Sequence, residues 1–95
     1  MTKLFVYGIF TDEEIRKRAF GSEVKHEKAA LNGYALADEL VLGLYQNIVE
    51  KPTDFVEGML LDIPEEYLEI TDRIEGVEMG LYKRIQVGDW WVYIH

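Results

Sequence analysis

Apolar residues fill most of Lys3–Gly8 (KLFVYG), and the run stops at a glycine, the pattern of a strand leading into a corner. Charge then takes over. Thr11–Gly21 (TDEEIRKRAFG) reads as a short helix, with Thr11 as expected N-cap, Glu14 completing a Thr-x-x-Glu box and Gly21 ending it. Glu23–Gly43 mixes β-branched and small residues with turn formers, which predicts two or three strands with turns near Asn32-Gly33 and Ala37-Asp38. Leu44–Asp54 is broken by Pro52, and Phe55–Ile63 (FVEGMLLDI) is a clear strand. Pro64–Gly76 (PEEYLEITDRIEG) reads as a second helix, with the proline at its first position and the glycine just past its end. Leu81–Val87 and Trp90–His95 are strands joined by Gly88-Asp89, a hairpin signal. No repeat, linker or low-complexity segment interrupts the pattern. The class is α+β: mostly strand, with two helices.

The second helix contains one exception to its own pattern. With about 100° per residue and Tyr67 at zero, Leu68, Ile70, Thr71 and Ile74 fall on an arc from roughly −60° to +100°. Glu65, Glu66, Glu69, Asp72 and Arg73 lie opposite, between roughly 140° and 260°. Glu75 does not; it lands near ~80°, inside the apolar arc. Two readings are open. Glu75 ends the helix, so its side chain can swing to water or pair with Lys83 or Arg84. Alternatively it is a carboxylate held in a pocket. Desolvation and the negative end of the helix would then both disfavour its charged form, as a general acid–base glutamate requires.

Val6–Phe10 (VYGIF) is the complementary feature. A strand enters, Gly8 permits close approach, and a helix comes next. Backbone N–H groups at such a corner can bind a carboxylate or an oxyanion forming on a carbonyl, although many strand–glycine–helix corners bind nothing.

Composition narrows the field. Ninety-five residues, 48% of them hydrophobic, suit one domain over residues 1–95 with a modest core. There is no cysteine, which removes disulfides, thiolate nucleophiles and cysteine zinc sites from consideration. The formal charge of −8 disfavours nucleic acid. No run is long enough for a membrane span and no signal segment is evident, so no membrane partner and a cytoplasmic location are expected. His26 and His95 stand far apart, and no metal site is expected.

Five segments in order resemble the γ-glutamylcyclotransferase-like superfamily. VYGIF is similar to its Tyr-Gly-[Ser/Thr]-Leu segment, and TDRIEG to its Leu-Asp-x-[Tyr/Phe]-Glu-Gly segment. LYKRIQV is similar to Tyr-x-Arg-x-x-Val, FVEGMLLDI to Val-x-Gly-x-Leu-[Tyr/Phe]-x-[Ile/Leu], and WWVYIH to the last strand. The resemblance implies a small mixed β-barrel-like sheet with two flanking helices and a pocket at the end of the first strand. It implies a catalytic glutamate, which by position is Glu75, the residue that helical periodicity also isolates. It further implies substrate contacts from Tyr7, Gly8, Ile9, Phe10 and Tyr82, a small γ-glutamyl compound as partner, and no cofactor. In the family's reaction the α-amine attacks its own γ-carbonyl, giving 5-oxoproline and a free amine.

The chain departs from that pattern in places. Ile9 stands for Ser or Thr, Phe10 for Leu, Thr11 for Arg or Lys, and Tyr45-Gln46 for Tyr-Pro. Backbone donors survive these changes, while the pocket becomes more apolar. The expected function is a cyclotransferase with Glu75 as general acid and base. The alternatives are a non-catalytic small-molecule binder of the same fold, or an acidic protein-interaction module using Trp90-Trp91. Alternation along a strand explains those tryptophans more simply, one facing inward and one outward.

Overall fold

The computed structural model describes residues 1–95. Its centre is strand β1 (Thr2–Val6), which pairs antiparallel with β3 (Ile48–Ile63) and parallel with β5 (Trp90–Ile94). Strand β2 (Lys25–Leu36) lies outside β3 and β4 (Lys83–Val87) outside β5, giving the mixed order β2-β3-β1-β5-β4. Helices α1 (Glu13–Phe20) and α2 (Leu68–Ile74) complete the α+β architecture. The sheet is open, with β2 and β4 as its edges, so it matches the expected barrel-like sheet only loosely.

Alternation in β1 divides the core. Leu4 and Val6 join a cluster with Phe10, Phe20 and Leu68 from the helical side. Phe5 points the other way, into a cluster with Leu31, Ile48, Val56, Leu60 and Val92, all from strands. Phe5 and Val92 are 0% exposed with no helical residue among their buried neighbours, so the curled sheet covers its own side chains. The tryptophans divide likewise. Trp90 stacks on Phe5 at 5.8 Å between ring centroids, and Trp91 lies beneath Arg84 at 4.4 Å. They occupy opposite faces as expected, but both are half-buried, which corrects the expectation of an outward-facing aromatic.

Three local expectations change. Asp12, not Thr11, caps α1: its carboxylate accepts from Glu14 N at 2.8 Å, while Thr11 Oγ1 donates to the Gly8 carbonyl at 2.6 Å. The chain makes a 3₁₀ turn over Ile9–Thr11 first, which moves the cap one residue on. Asn32-Gly33 is not a turn. One twelve-residue strand runs through it, and Gly33 (φ 87°) sits at a bulge where the register jumps from Asn32–Phe55 to Tyr34–Glu50. Pro52 does not break β3; it falls in the skipped stretch opposite that bulge, where its missing N–H costs no ladder bond.

The second helix begins as a 3₁₀ turn at Glu65–Tyr67, preceded by Pro64, and becomes α-helical at Leu68. The apolar arc serves two surroundings. Leu68 and Thr71 are buried in the core, whereas Ile74 is 42% exposed and Glu75 caps the C-terminus. No helix is long and apolar enough to cross a membrane.

Candidate functional site

A cavity of about 670 Å³ opens where β1 ends, and thirteen of its twenty lining residues are hydrophobic. That size lies in the range of small-molecule sites. Its first wall is the chain from β1 into α1, including Tyr7, Gly8, Ile9 and Phe10. The second is the C-terminal end of α2 with the turn beyond it, including Glu75, Leu81 and Tyr82. The third is the loop between β2 and β3, through Leu44, Tyr45 and Gln46. All six residues singled out in the sequence (Tyr7, Gly8, Ile9, Phe10, Glu75, Tyr82) therefore border one space.

They border it differently. Phe10 is 1% exposed and stacked on Phe20 at 5.8 Å, so its ring belongs to the core. Ile9 is half-buried and packs against the same cluster. At Gly8 a Cβ would find no heavy atom within 4 Å, so the backbone there faces open space. Thr11 N and Asp12 N close the turn on the Gly8 and Ile9 carbonyls at 3.1 Å. The N–H groups of Gly8, Ile9 and Phe10 come too early in the turn to find a carbonyl within it.

Glu75 is placed by two features of the chain. Its N–H bonds to the Thr71 carbonyl at 2.8 Å, which keeps it on the helical spiral. Gly76 then turns left-handed (φ 72°), and its carbonyl accepts from Leu81 N at 3.0 Å, folding the chain back over the cavity. The ion pairs that would have drawn Glu75 outward do not form. Arg84 is bound by both oxygens of Asp72, at 2.8 and 3.1 Å, and none of the salt bridges includes Glu75. Burial pushes its carboxyl up to about 7.

Two tyrosines face this carboxyl. Tyr7 OH donates to the Tyr93 carbonyl at 2.5 Å, and Tyr82 OH donates to the Gln46 carbonyl at 2.5 Å. Burial, and then neighbouring negative charge that includes Glu75, raises both phenols, Tyr82 to about 12. Both therefore stay protonated donors at neutral pH. Arg73 is the one cation among the lining residues and joins no salt bridge.

Sequence reasoning did not single out Tyr93, Met79 or the 44–46 loop as site residues. The loop carried one signal, the Tyr45-Gln46 pair standing for Tyr-Pro; Tyr93 and Met79 carried none. Tyr93 is reached through the parallel pairing of β5 with β1, a contact that no local pattern encodes.

A family model described as "Gamma-glutamyl cyclotransferase, AIG2-like" matches residues 4–94. Three solved structures share the fold. A protein from Arabidopsis thaliana, determined in solution, has a TM-score of 0.79 at 25% identity, covering 98% of this chain and 67% of that one. An uncharacterized protein from Homo sapiens has 0.82 at 22% identity, covering 98% and 65%. A gamma-glutamyl cyclotransferase has 0.79 at 20% identity, again covering 98% and 65%. The chain thus spans about two thirds of the length of these structures. None of the curated proteins matches it.

Proposed function

Because the chain belongs to the gamma-glutamyl cyclotransferase, AIG2-like family, we propose that it cyclises a γ-glutamyl amine or amino acid, releasing 5-oxoproline and the free amine, with Glu75 as general acid and base. The observation that carries the proposal is a half-buried, unpaired carboxyl raised to about 7, bordering the same cavity as the glycine corner.

The chemistry needs little else. The substrate's α-amino nitrogen loses a proton to the Glu75 carboxylate and attacks the γ-carbonyl carbon. An N–C bond forms, and the carbonyl electron pair moves onto oxygen. As the pair returns, the bond to the leaving nitrogen breaks, and Glu75 gives that nitrogen the proton it had taken. One residue with a pKa near the working pH serves both steps. Ring closure is intramolecular, so the protein mainly has to hold the substrate folded.

Backbone N–H groups from Gly8 to Phe10 are the donors for the developing oxyanion or for the substrate carboxylate. Arg73 supplies positive charge for an anionic substrate. Tyr7, Tyr82 and the apolar walls exclude water. Glu75→Gln keeps the shape and hydrogen-bonding capacity of the side chain but cannot carry a proton at neutral pH. It is expected to abolish 5-oxoproline release from a panel of γ-glutamyl peptides and amines while retaining binding by calorimetry. Turnover by the variant would sink the mechanism. A second reading, binding without turnover, is favoured by Ile9, which offers no hydroxyl to the substrate. Absence of turnover by the natural chain on the whole panel, with binding retained, would select it.

A further inference from the structure

The rim of the cavity is built differently from its interior. Ten large apolar residues are exposed in the whole chain, and four of them border this cavity: Leu44 (71% exposed), Tyr45 (39%), Ile74 (42%) and Met79 (82%). They come from two separate stretches, the loop between β2 and β3 and the end of α2 with its adjoining turn. Grouped apolar exposure of this kind marks a ligand surface when it adjoins a cavity.

The loop is tied down rather than loose. Val41, buried at 5%, exchanges backbone hydrogen bonds with Tyr45 at 2.7 and 3.0 Å, and Tyr82 OH holds the Gln46 carbonyl. Leu44 is thus presented to solvent by a fixed turn. Met79 is likewise carried on a short turn bounded by Gly76 and Gly80, both left-handed. Neither side chain is needed to cover the core.

The rim is poor in charge. Of the charged residues around the cavity other than Glu75, Asp12 is occupied in capping α1, and Arg73 attracts anions. Besides Glu75, a cationic substituent meets there one carboxylate, Asp12, and the like charge of Arg73. On the cyclotransferase reading the glutamyl part lies toward Glu75 and the Gly8 corner, which directs the substituent on the γ-nitrogen toward the rim.

Resting on the cyclotransferase reading, we propose that the group released is an amine or amino acid with a large apolar side chain, seated on Leu44, Tyr45, Ile74 and Met79. The test compares γ-glutamyl-leucine and γ-glutamyl-phenylalanine with γ-glutamylglycine and with the γ-glutamyl amide of the lysine side-chain nitrogen. The full chain is expected to favour the apolar pair by about tenfold or more in kcat/KM. Combining Leu44→Asp with Met79→Asp, both at exposed positions, is expected to bring the leucine-to-glycine ratio down toward one, with thermal melts checking that the fold is retained. A wild-type ratio near one, or preference for glycine or lysine, overturns the proposal. If no peptide turns over, the cyclotransferase reading fails, and calorimetry with the same peptides judges the rim: equal affinities overturn it, and tighter binding of the leucine peptide supports it. Sedimentation equilibrium is run on both proteins. A wild-type dimer dissociated by the double variant would assign the rim to a self-interface and overturn the proposal.

Discussion

The buried guanidinium of Arg16 donates to the Phe10 carbonyl at 3.1 Å, which ties helix α1 to the corner that opens the cavity. Arg16 is 3% exposed, and its other bonds reach Glu23 through both oxygens, at 2.8 and 3.0 Å, and Met59 Sδ at 3.5 Å. The two-point bond to Glu23 fixes the guanidinium plane, and that plane fixes where the Phe10 peptide can lie. An ammonium could not satisfy all of these partners at once.

Removing this cation is expected to cost stability and position together. Arg16→Ala leaves the Phe10 carbonyl without its side-chain donor and the Glu23 carboxylate with only the Val24 N–H, at 3.1 Å, and should destabilise by about 3 kcal/mol in urea titrations. The Arg16 bonds, chiefly, hold the Glu23 carboxyl down at about 2, below its usual 4.5. A depressed folded-state value means a contribution fully present above the unfolded pKa and lost as pH falls from about 4.5 toward 2. Wild type should therefore weaken through that window more than Glu23→Gln does. Parallel pH profiles would contradict the pairing.

How much of this was readable in advance depended on whether the signal was local. Glu75 was legible because one helix face sorts charge from apolar residues, and a single misplaced carboxylate stands out. The hairpin β4–β5 and the ends of both helices were legible from Gly88, Gly21 and Gly76. The β2–β3 pair was not. Asn32-Gly33 and Pro52 are strong breakers in isolation, and only pairing across two long strands makes them a bulge and its unpaired opposite stretch. Arg16 was equally hidden: on the chain it is one cation among several in a charged helix, and its burial depends on Glu23 and Met59 arriving from elsewhere.

Glu75 should make the protein less stable as pH rises. Its folded-state value of about 7 stands above the usual 4.5, so the folded protein binds the extra proton between these pH values. Stability then falls as pH climbs through that window, by up to about 3 kcal/mol if the whole shift is expressed. Glu75→Gln removes the burden. It should be more stable than wild type at pH 8 and equal to it at pH 4, in urea titrations at both. A difference independent of pH would mean that Glu75 is not desolvated. The same titration should appear in kcat/KM for a γ-glutamyl peptide as a limb rising through about pH 7.

Ile9→Thr is expected to exchange packing for a hydrogen bond. Ile9 is half-buried against the core and borders the cavity, so a threonine there loses part of the packing and offers a hydroxyl to the substrate. A hydrogen bond to a charged group contributes roughly 1.5–3 kcal/mol, and about 1.4 is a factor of ten. Turnover or affinity for a γ-glutamyl substrate should rise about tenfold while the melt drops slightly. A melt lowered by the equivalent of about 1–3 kcal/mol with unchanged activity would show that the residue is plain core.

Gly58 should tolerate no side chain, for a reason the sequence motif did not reveal. Its φ is not left-handed, so the constraint is space rather than conformation. A Cβ on Gly58 would lie 2.2 Å from the Val6 carbonyl oxygen and 2.9 Å from Phe5 Cζ. The first is backbone and cannot rotate away, so β1 would have to move off β3 at its last residue. Tyr7 and Gly8 come directly after, and the corner of the cavity would move with them. Gly58→Ala is expected to cost about 1–3 kcal/mol by overpacking, a drop of roughly 5–20 °C in Tm for a chain of this size. At temperatures where the variant remains folded, its KM for a γ-glutamyl peptide should rise, because the donors at the corner are displaced. A variant as stable as wild type would show that β1 and β3 do not approach so closely. One that is destabilised but keeps its KM would show that the corner is positioned from the helical side, through Arg16 and Phe10, rather than by the end of the strand.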